Sequence, residues 1–200
     1  MQLHLRGKTA IVTGGSRGLG RAVCEALAAE GAQVVLNFVS DERRGHDTAM
    51  EIAKRYGVKV LPVRADVSQE SEVDALFRAA AKAFGAPDIL VNNAGVCPVK
   101  MISDTSYEEW RRVMDINVGG VFLTSRAFLK ACVANNKSGR IVNVVSQSAF
   151  NGSKNGKTHY AASKGAVVSF TISFAKEAAP YGVAVNALSP GMTFTDITSE

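Results

Sequence analysis

Cysteine is scarce in this chain, and the positions of the cysteines exclude two common structural roles. Only three occur in 200 residues, Cys24, Cys97 and Cys132, and they are widely spaced without a CxxC pair. An odd number of separated cysteines supports neither a disulfide framework nor a structural zinc site. We therefore expect small buried thiols and no bound metal.

Long apolar segments are also missing. No stretch reaches the ~18 uninterrupted apolar residues of a membrane-spanning helix, and the first eight residues lack the apolar segment of a secretory signal. We therefore expect a cytoplasmic protein that has no membrane partner.

The sequence has no continuous block of basic residues, although its formal net charge is +5. The bases are mixed with acids, as where Glu108 and Glu109 stand beside Arg111 and Arg112. This mixing disfavours a polyanion-binding face, so nucleic acid is not an expected partner. With 46% hydrophobic and 20% charged residues, the chain has the composition of one domain with a substantial core.

One local stretch does lack acids altogether. Between Ser146 and Tyr160 there is no Asp or Glu, while Lys154, Lys157 and His159 are present. This loop either faces an anionic ligand or is a solvated basic loop, and the sequence leaves both readings open.

Short apolar runs alternate with amphipathic stretches along the whole chain. The runs are mostly uninterrupted β-branched or aliphatic residues, as strands buried on both faces require. The predicted strands are 10–13, Gln33–Phe38, 59–63, Ile89–Asn92, 140–145 and Val183–Leu188. Strands that alternate with helices predict an α/β fold with a doubly wound parallel sheet in three layers (α/β/α), with ligands at its carboxyl edge.

Capping residues set the predicted helix boundaries. A helix over residues 19–30 ends at Gly31, a residue that suits a left-handed cap. Ser106 and Glu109 form a capping box that opens a long helical stretch toward Asn135.

A glycine-rich turn directly follows the first predicted strand. The turn reads Thr13-Gly14-Gly15-Ser16-Arg17-Gly18-Leu19-Gly20. Gly14 permits a tight bend, Gly18 lets the backbone approach a pyrophosphate, and Gly20 allows close helix packing. The turn therefore predicts a Rossmann-type dinucleotide site, although a purely structural glycine turn stays an alternative.

The end of the second strand bears on the choice of dinucleotide. Phe38 stands where an acid usually holds the ribose 2′-hydroxyl, and an acid would repel a 2′-phosphate. We therefore expect NADP(H) rather than NAD(H), with Arg17 binding the phosphate. The same stretch contains two possible helpers, Ser40 and Arg43, and two acids that oppose this reading, Asp41 and Glu42.

Tyr160 and Lys164 are four residues apart on a predicted helix and so share one face. A phenol normally titrates near pH ~10, and a neighbouring ammonium lowers that pKa by favouring the phenolate. The pair is either a catalytic acid with its activating cation or an exposed helix pair.

Together these residues resemble the short-chain dehydrogenase/reductase family, from Gly7 to about Asp196. Four residues match the catalytic tetrad of that family in order: Asn117, Ser146, Tyr160 and Lys164. The resemblance assigns cofactor binding to Gly14, Ser16, Arg17, Gly18, Leu19, Gly20, Phe38, Asp66, Val67, Asn93, Ala94, Gly95, Tyr160, Lys164, Thr193 and Thr195, and places Pro190-Gly191 in the nicotinamide loop. Taken singly, Asn117 could be a helix-kink residue, Ser146 a strand-end cap and Asn92-Asn93 a turn.

The resemblance implies hydride transfer between a nicotinamide and a carbonyl carbon. Tyr160 would donate a proton to the carbonyl oxygen, and Ser146 would hydrogen-bond that oxygen. Lys164 would lower the pKa of Tyr160 and hold the nicotinamide ribose, while Asn117 would anchor a water that links Lys164 to solvent.

Within the family, the chain is most like the 3-oxoacyl-(acyl-carrier-protein) reductase group. Tyr181 replaces an arginine that docks the acidic carrier in that group, Lys137 is a possible substitute for another, and the stretch between Ser146 and Tyr160 is one residue longer. The substrate is then a 3-oxoacyl thioester or an unrelated ketone, quinone or sugar-derived carbonyl. A catalytically idle dinucleotide-binding protein and a nucleotide-sugar epimerase or dehydratase are the other readings.

The resemblance also bears on chain organisation and assembly. We expect one NAD(P)-binding Rossmann domain over residues 1–200, incomplete at its C-terminus because the last strand and helix of the family are missing. A homodimer or homotetramer would form through the helices over 106–135 and 158–179. The apolar residues on these helices, including Val121, Phe122, Phe170 and Phe174, could equally pack only on the sheet.

Overall fold

The computed structural model describes residues 3–191. Its centre is one six-stranded sheet in the order β3-β2-β1-β4-β5-β6, in which every neighbouring pair is parallel. The strands are β1 Thr9–Val12, β2 Gln33–Phe38, β3 Val60–Arg64, β4 Ile89–Asn92, β5 Gly139–Val144 and β6 Val183–Leu188. All six predicted strands are confirmed, and none of their ends differs by more than one residue.

Helices connect the strands and cover both faces of the sheet. They are α1 Gly18–Ala29, α2 Glu42–Tyr56, α3 Glu70–Phe84, α4 Tyr107–Met114, α5 Gly120–Ala134, α6 Ser148–Asn151 and α7 Thr158–Ala178. The predicted doubly wound α/β/α architecture is therefore confirmed.

The alternation of side chains along each strand divides most of the core between two large clusters, beside a third and smaller one of Val121, Val145 and Val167. Val34 and Leu36 of β2 pack in a cluster with α1 and α2 residues such as Cys24. Val35 between them lies in the opposite cluster, which includes Phe128 of α5. Both faces of a strand must therefore be apolar, which explains why the strands read as unbroken hydrophobic runs.

The long helical stretch predicted from Ser106 begins as expected but is not uniform. The capping box is formed: Glu109 N donates to Ser106 Oγ at 3.1 Å, and Ser106 N donates to Glu109 Oε2 at 2.8 Å. Between α4 and α5, residues Asp115–Gly119 form a π-helical turn. Such turns widen a helix locally and are frequent at functional sites.

This helical run also meets the length and composition of a membrane span. Residues Tyr107–Ala134 make 28 helical residues whose mean hydropathy reaches 1.2 over an 18-residue window, and 39% of that window is buried inside the fold. A core helix of a folded protein meets the same criteria, and here the run packs Phe128 and Cys132 fully into the core.

A buried polar network ties the carboxyl ends of β4 and β5 to α5 and α7. Asn92 and Asn143 are register partners, and Asn92 Nδ2 donates to Asn143 Oδ1 at 2.9 Å. Thr124 of α5 donates to Asn92 Oδ1 at 2.7 Å, and Asn143 Nδ2 donates to Thr171 of α7 at 2.9 Å. Asn92 is therefore a buried strand residue and not a turn residue. Because buried amides need all these partners, the network fixes α5 and α7 against the catalytic edge.

Candidate active site

The predicted cofactor and catalytic residues surround one cleft at the carboxyl edge of the sheet. The cleft has a volume of about 610 Å³. The predicted residues that line it are Gly14, Ser16, Arg17, Gly18, Leu19, Gly20, Phe38, Asp66, Val67, Asn93, Ala94, Gly95, Ser146, Tyr160 and Lys164, together with Pro190 and Gly191. Asn117 lies buried outside the lining, and Thr193 and Thr195 are outside the described residues.

The glycine turn has the backbone that its sequence predicts. Gly14 and Gly18 have φ values of +64° and +52°, in the left-handed region that favours glycine. A Cβ on Gly20 would overlap the Gly14 carbonyl and stand 2.5 Å from Asn93 Nδ2. Gly20 therefore lets α1 start against the turn itself, and the amides of this helix start border the cleft as a dinucleotide phosphate site requires.

Thr13 and Asn93 fasten the end of β4 to this turn. Asn93 Nδ2 donates to the carbonyls of Thr13 and Gly14 at 3.0 and 3.1 Å. The backbone amides of Asn93 and Ala94 both donate to Thr13 Oγ1 at 3.0 Å. The Asn93 amide group therefore shapes the turn, in addition to lining the cleft.

Of the basic and polar residues expected to bind a 2′-phosphate near the end of β2, only some line the cleft. Arg17 and Ser40 line the cleft beside Phe38. Arg43 is no part of the lining; its side chain is 93% exposed and lies 3.6 Å from Asp47.

The two acids that opposed an NADP site are not in the cleft lining. Asp41 is the N-cap of α2, where its side chain accepts a hydrogen bond from Arg44 N at 2.9 Å. Glu42 is exposed in the first turn of the same helix.

Asp66 and Val67 border the cleft after β3. Asp66 Oδ1 accepts hydrogen bonds from Ser68 N at 2.9 Å and Ser68 Oγ at 2.7 Å. Val67 packs against the α5 residue Gly120, where a Cβ would lie 2.7 Å from Val67 Cγ2. The close helix contact thus places the segment after β3 against the cleft.

Lys164 is buried at the end of β5. Its ammonium donates to the Val144 carbonyl at 2.8 Å and lies 5.7 Å from the centroid of the Tyr160 ring. The side chain is 4% exposed, and burial lowers the pKa of Lys164 to about 8.

The pKa of Tyr160 moves in the direction opposite to the sequence-based expectation. Burial raises the pKa of the Tyr160 phenol above its ordinary value, and a hydrogen bond with Ser146 counteracts this only in part. The expected net lowering of the Tyr160 pKa is therefore wrong for this structure. The physical reason is desolvation, which outweighs the other influences on the phenol.

Ser146 is itself held by its neighbour. Ser148 donates to Ser146 Oγ from its backbone amide at 3.2 Å and from its hydroxyl at 2.9 Å. With two hydrogen bonds accepted, Ser146 has its hydroxyl proton left for the hydrogen bond with Tyr160, where a substrate oxygen could take the place of the phenol as acceptor.

Asn117 occupies the π-helical turn and is fully buried. It accepts from Val96 N at 2.8 Å and donates to Val96 O and Ser163 Oγ, both at 3.0 Å. Ser163 Oγ in turn donates to the Tyr160 carbonyl at 2.7 Å. Asn117 thus joins the segment after β4 to the helix that carries Tyr160, and it also lies where the helix departs from α geometry.

Several cleft residues were not identified from the sequence. They are Asn37, Val39, Ala65, Val96, Cys97, Arg112, Ile116, Val144, Val145, Gln147, Ser148 and Ser153. Most of them follow strand ends, so the rule that strand-end loops line the site could have indicated them. Arg112 lies on α4, and no feature of its sequence context indicated it.

The acid-free loop before Tyr160 contributes one cation to the cleft. Lys157 lines it, whereas Lys154 is exposed outside the lining and His159 is buried away from it. Lys137, the possible carrier-docking residue, lies 3.0 Å from Asp88 Oδ1 and donates to the Ala86 carbonyl at 2.6 Å. Its contacts are structural.

The three cysteines are free thiols. Cys24 and Cys132 are buried as expected, and burial raises the pKa of both thiols. Cys97 is half-buried and lines the cleft instead. Within residues 3–191, no three His, Cys, Asp or Glu side chains come together as metal ligands.

A family model described as short chain dehydrogenase matches residues 8–200. The chain belongs to the short-chain dehydrogenase family. The 3-oxoacyl-[acyl-carrier-protein] reductase of Aquifex aeolicus is 38% identical over 199 residues, which cover 100% of this chain and 79% of that protein. Glucose 1-dehydrogenase 2 of Bacillus subtilis is 40% identical over 199 residues, an alignment that spans 98% of this chain and 76% of that protein.

A solved structure agrees with the fold of this short-chain dehydrogenase. The short chain dehydrogenase of Burkholderia cenocepacia in complex with NADP superposes with a TM-score of 0.90 at 34% identity, over 96% of this chain and 77% of that chain. The predicted resemblance is thereby confirmed. As a member of the family, the protein is an oxidoreductase that uses a nicotinamide dinucleotide and acts on small molecules.

Replacement of Lys164 by Met should increase stability at neutral pH. A buried Lys whose folded-state pKa is about 8, against the ordinary 10.5, favours its neutral form in the folded protein. The wild type is therefore least stable below pH ~8, and its stability should rise as the pH increases from ~8 to ~10.5. Chemical denaturation over this range should show Lys164→Met to be more stable at pH 7, by a margin that shrinks toward pH ~10.5. A margin that grew with pH, or a less stable variant at pH 7, would contradict the buried charge.

Proposed function

We propose that this short-chain dehydrogenase is an NADP(H)-dependent carbonyl reductase whose substrates are 3-oxoacyl thioesters or similar ketones. The main support for this proposal is that Ser146, Tyr160 and Lys164 line the same cleft as the glycine turn. A dinucleotide whose phosphates bind at the glycine turn could therefore reach the Tyr160 phenol within the same cleft. The catalytic roles of these residues, and the assignment of the cofactor site residue by residue, are part of the proposal.

The reaction adds a hydride to the carbonyl carbon and a proton to its oxygen, giving a secondary alcohol. The bound nicotinamide supplies the hydride. Tyr160 donates the proton; because burial raises the pKa of Tyr160, the phenol is fully protonated at neutral pH. Ser146, whose oxygen already accepts from Ser148, donates its hydroxyl proton to the substrate oxygen as negative charge develops.

Lys164 and Asn117 both assist Tyr160 in the proposed reaction. Lys164 would hold the nicotinamide ribose of a bound cofactor. Its ammonium stands beside Gly95 in the cleft wall, where a Cβ would lie 3.6 Å from Lys164 Nζ. Asn117 keeps Val96 and Ser163 in place and anchors the path by which the proton on Tyr160 is replenished.

The preference for NADP(H) is supported by the charges around Phe38. Arg17 and Ser40 line this end of the cleft, while Asp41 is engaged as a helix cap and Glu42 is outside the lining. A 2′-phosphate there would meet a guanidinium and no carboxylate from β2 or its following loop. The solved relative from Burkholderia cenocepacia is described as a complex with NADP.

Replacing Arg17 by Gln should weaken the use of NADPH selectively. A hydrogen bond to a charged group contributes roughly 1.5–3 kcal/mol, which corresponds to about a 10- to 100-fold loss in kcat/KM with NADPH. The value with NADH should stay within about threefold. Arg43→Gln is the matched control and should leave both values unchanged, because Arg43 is exposed outside the cleft. Equal losses with both cofactors, or a wild-type enzyme that prefers NADH, would refute the NADP(H) assignment.

The thioester class is supported by one relative and by one residue. The Aquifex aeolicus relative carries the name of a 3-oxoacyl reductase, and Lys157 places a cation beside Tyr160 in the cleft, where the phosphates of an acyl carrier would be attracted. The Bacillus subtilis relative is named a glucose dehydrogenase, which keeps a sugar-derived carbonyl as the second candidate.

Initial rates with NADPH on acetoacetyl-CoA, a neutral 3-oxoester, a quinone and a sugar-derived carbonyl would test the substrate class. We expect the highest kcat/KM on acetoacetyl-CoA, and a KM for that substrate that rises severalfold in Lys157→Gln but not in the exposed control Lys154→Gln. Absence of any thioester reduction would remove this class. NADPH binding without turnover of any compound would favour an idle dinucleotide-binding protein.

We also propose that residues 1–200 belong to one Rossmann domain and that the protein is located in the cytoplasm. Its subunits would associate as a homodimer or homotetramer. Phe122 on α5 and Ile172 on α7 are 45% and 57% exposed, whereas Val121 and Phe174 on the same helices are buried. The exposed pair leaves an apolar surface on both helices that a second subunit would cover.

A further inference from the structure

A single backbone contact joins the loop after β4 to the loop before α7. The Lys100 amide donates to the Gly156 carbonyl at 2.8 Å. Gly156 is buried with φ +77°, and Asn155 before it has φ +57°. Two consecutive left-handed residues make a tight turn for which Asn-Gly is the favoured pair. This turn ends directly before Lys157 and the helix that carries Tyr160.

The contact leaves no room for a side chain on Gly156. A Cβ there would lie 2.7, 2.8 and 2.9 Å from the backbone C, N and O of Lys100. Gly152, in the same loop, has a similar φ of +71° but nothing within 4 Å of its Cβ position. The constraint at Gly156 is therefore steric as well as conformational, whereas the constraint at Gly152 is conformational only.

The Lys100 side of the contact is held by α4. Lys100 Nζ donates to both carboxylate oxygens of Glu109, at 2.7 and 2.9 Å. The same carboxylate accepts from Ser106 N in the capping box, and the Lys100 ammonium is the main cause that lowers the pKa of Glu109 to about 2. An exposed ion pair adds little to the free energy of folding. The two hydrogen bonds to Glu109 instead restrict the position of Lys100 relative to α4.

The other end of the same segment is held by Asn117. The Asn117 side chain hydrogen-bonds both the backbone amide and the backbone carbonyl of Val96. It also donates to Ser163 Oγ, which donates to the Tyr160 carbonyl. Residues 96–100, which we name the brace, are therefore fastened at both ends to parts of the chain that adjoin Tyr160. Cys97, inside the brace, lines the cleft.

The first turn of α7 depends on such outside support. Its N-cap, Lys157, makes no side-chain capping bond, and the first turn contains no acidic residue. An uncapped helix start frays, because its first amides lack partners. Tyr160 lies in this first turn, and the contact of Gly156 with Lys100 holds the chain just before it, in addition to the buried His159 within the turn.

We propose that the brace holds the first turn of α7 in its catalytic position and that Gly156 is a positioning residue for Tyr160. The Gly156 carbonyl receives the brace at Lys100, and the lack of a Cβ lets the two backbones meet. A side chain on Gly156 would push the brace and the start of α7 apart and move the phenol away from Ser146. This inference rests on the proposed function, in which Tyr160 is the proton donor.

The decisive comparison is Gly156→Ala against Gly152→Ala. Both substitutions place alanine at a positive φ in one loop, so they share the backbone strain, and only the first meets Lys100. We expect Gly156→Ala to lower kcat by about tenfold or more, since small misplacements of a catalytic group have large effects on rate. Its Kd for NADPH should stay within about twofold of wild type, and Gly152→Ala should retain wild-type kcat. Equal losses in the two variants, or a wild-type kcat in Gly156→Ala, would overturn the proposal.

A second readout does not depend on turnover. The pKa of the Tyr160 phenol can be measured by ultraviolet titration as the difference between each protein and the same protein with Tyr160→Phe. Burial raises this pKa in the wild type, so a phenol moved toward solvent should titrate closer to the ordinary value of ~10 in Gly156→Ala and not in Gly152→Ala. If wild type reduces no carbonyl, the proposed function fails, and an unchanged phenol pKa in Gly156→Ala then refutes the positioning role by itself.

Lys100→Pro covers the case in which Gly156→Ala does not fold. Proline removes the amide donor of the contact and puts its Cδ where the amide hydrogen pointed at the Gly156 carbonyl, so it breaks the contact from the side of the brace. We expect a lower kcat with an unchanged Kd for NADPH, and an unchanged kcat would refute the proposal. Lys100→Ala is the control that keeps the amide and loses only the ion pair with Glu109; its kcat should stay nearer to wild type.

Discussion

The buried ammonium of Lys164 is the constraint on which the arrangement of the cleft depends. It is held by one carbonyl, that of Val144 at the end of β5, and no carboxylate of residues 3–191 pairs with it. This contact fastens α7 to the catalytic edge of the sheet, and Tyr160 stands one turn earlier on the same helix. Burial shifts the two groups in opposite directions, with a raised pKa for Tyr160 and a lowered pKa for Lys164. Both shifts favour the neutral form, so the phenol keeps the proton that an acid must donate.

Much of the fold was predictable because the strands are buried on both faces. A central strand must be apolar almost throughout, which made β1 and β2 readable as continuous runs, and the Ser106–Glu109 capping box marked the start of α4. The π-helical turn at Asp115–Gly119 was indicated only by the alternative reading of Asn117 as a helix-kink residue, and its π geometry was not predictable from the local sequence. The pairing of Asn92 with Asn143 was also out of reach, since register between strands that lie far apart in the chain is a tertiary property.

The site was predictable where a short motif determines the geometry by itself. Gly14 and Gly18 of the turn have positive φ values, which glycine adopts readily, and the strand-end residues converge because parallel strands end at one edge. The direction of the pKa shift of Tyr160 was predicted wrongly, because a spacing of four residues reveals a neighbouring charge but not the depth of burial. Cys97, Arg112 and the contact of Lys100 with Gly156 depend on loops that approach each other only in the folded chain.

The central claim is that the Tyr160 hydroxyl delivers the proton in carbonyl reduction. Tyr160→Phe keeps the ring and its packing and removes only that hydroxyl, so the most direct measurement is the single-turnover rate of this variant saturated with NADPH. The account predicts a loss of about 10²- to 10⁴-fold, the usual contribution of a general acid, with the Kd for NADPH within about twofold of wild type. A Tyr160→Phe enzyme that reduces its substrate at the wild-type rate would contradict the account.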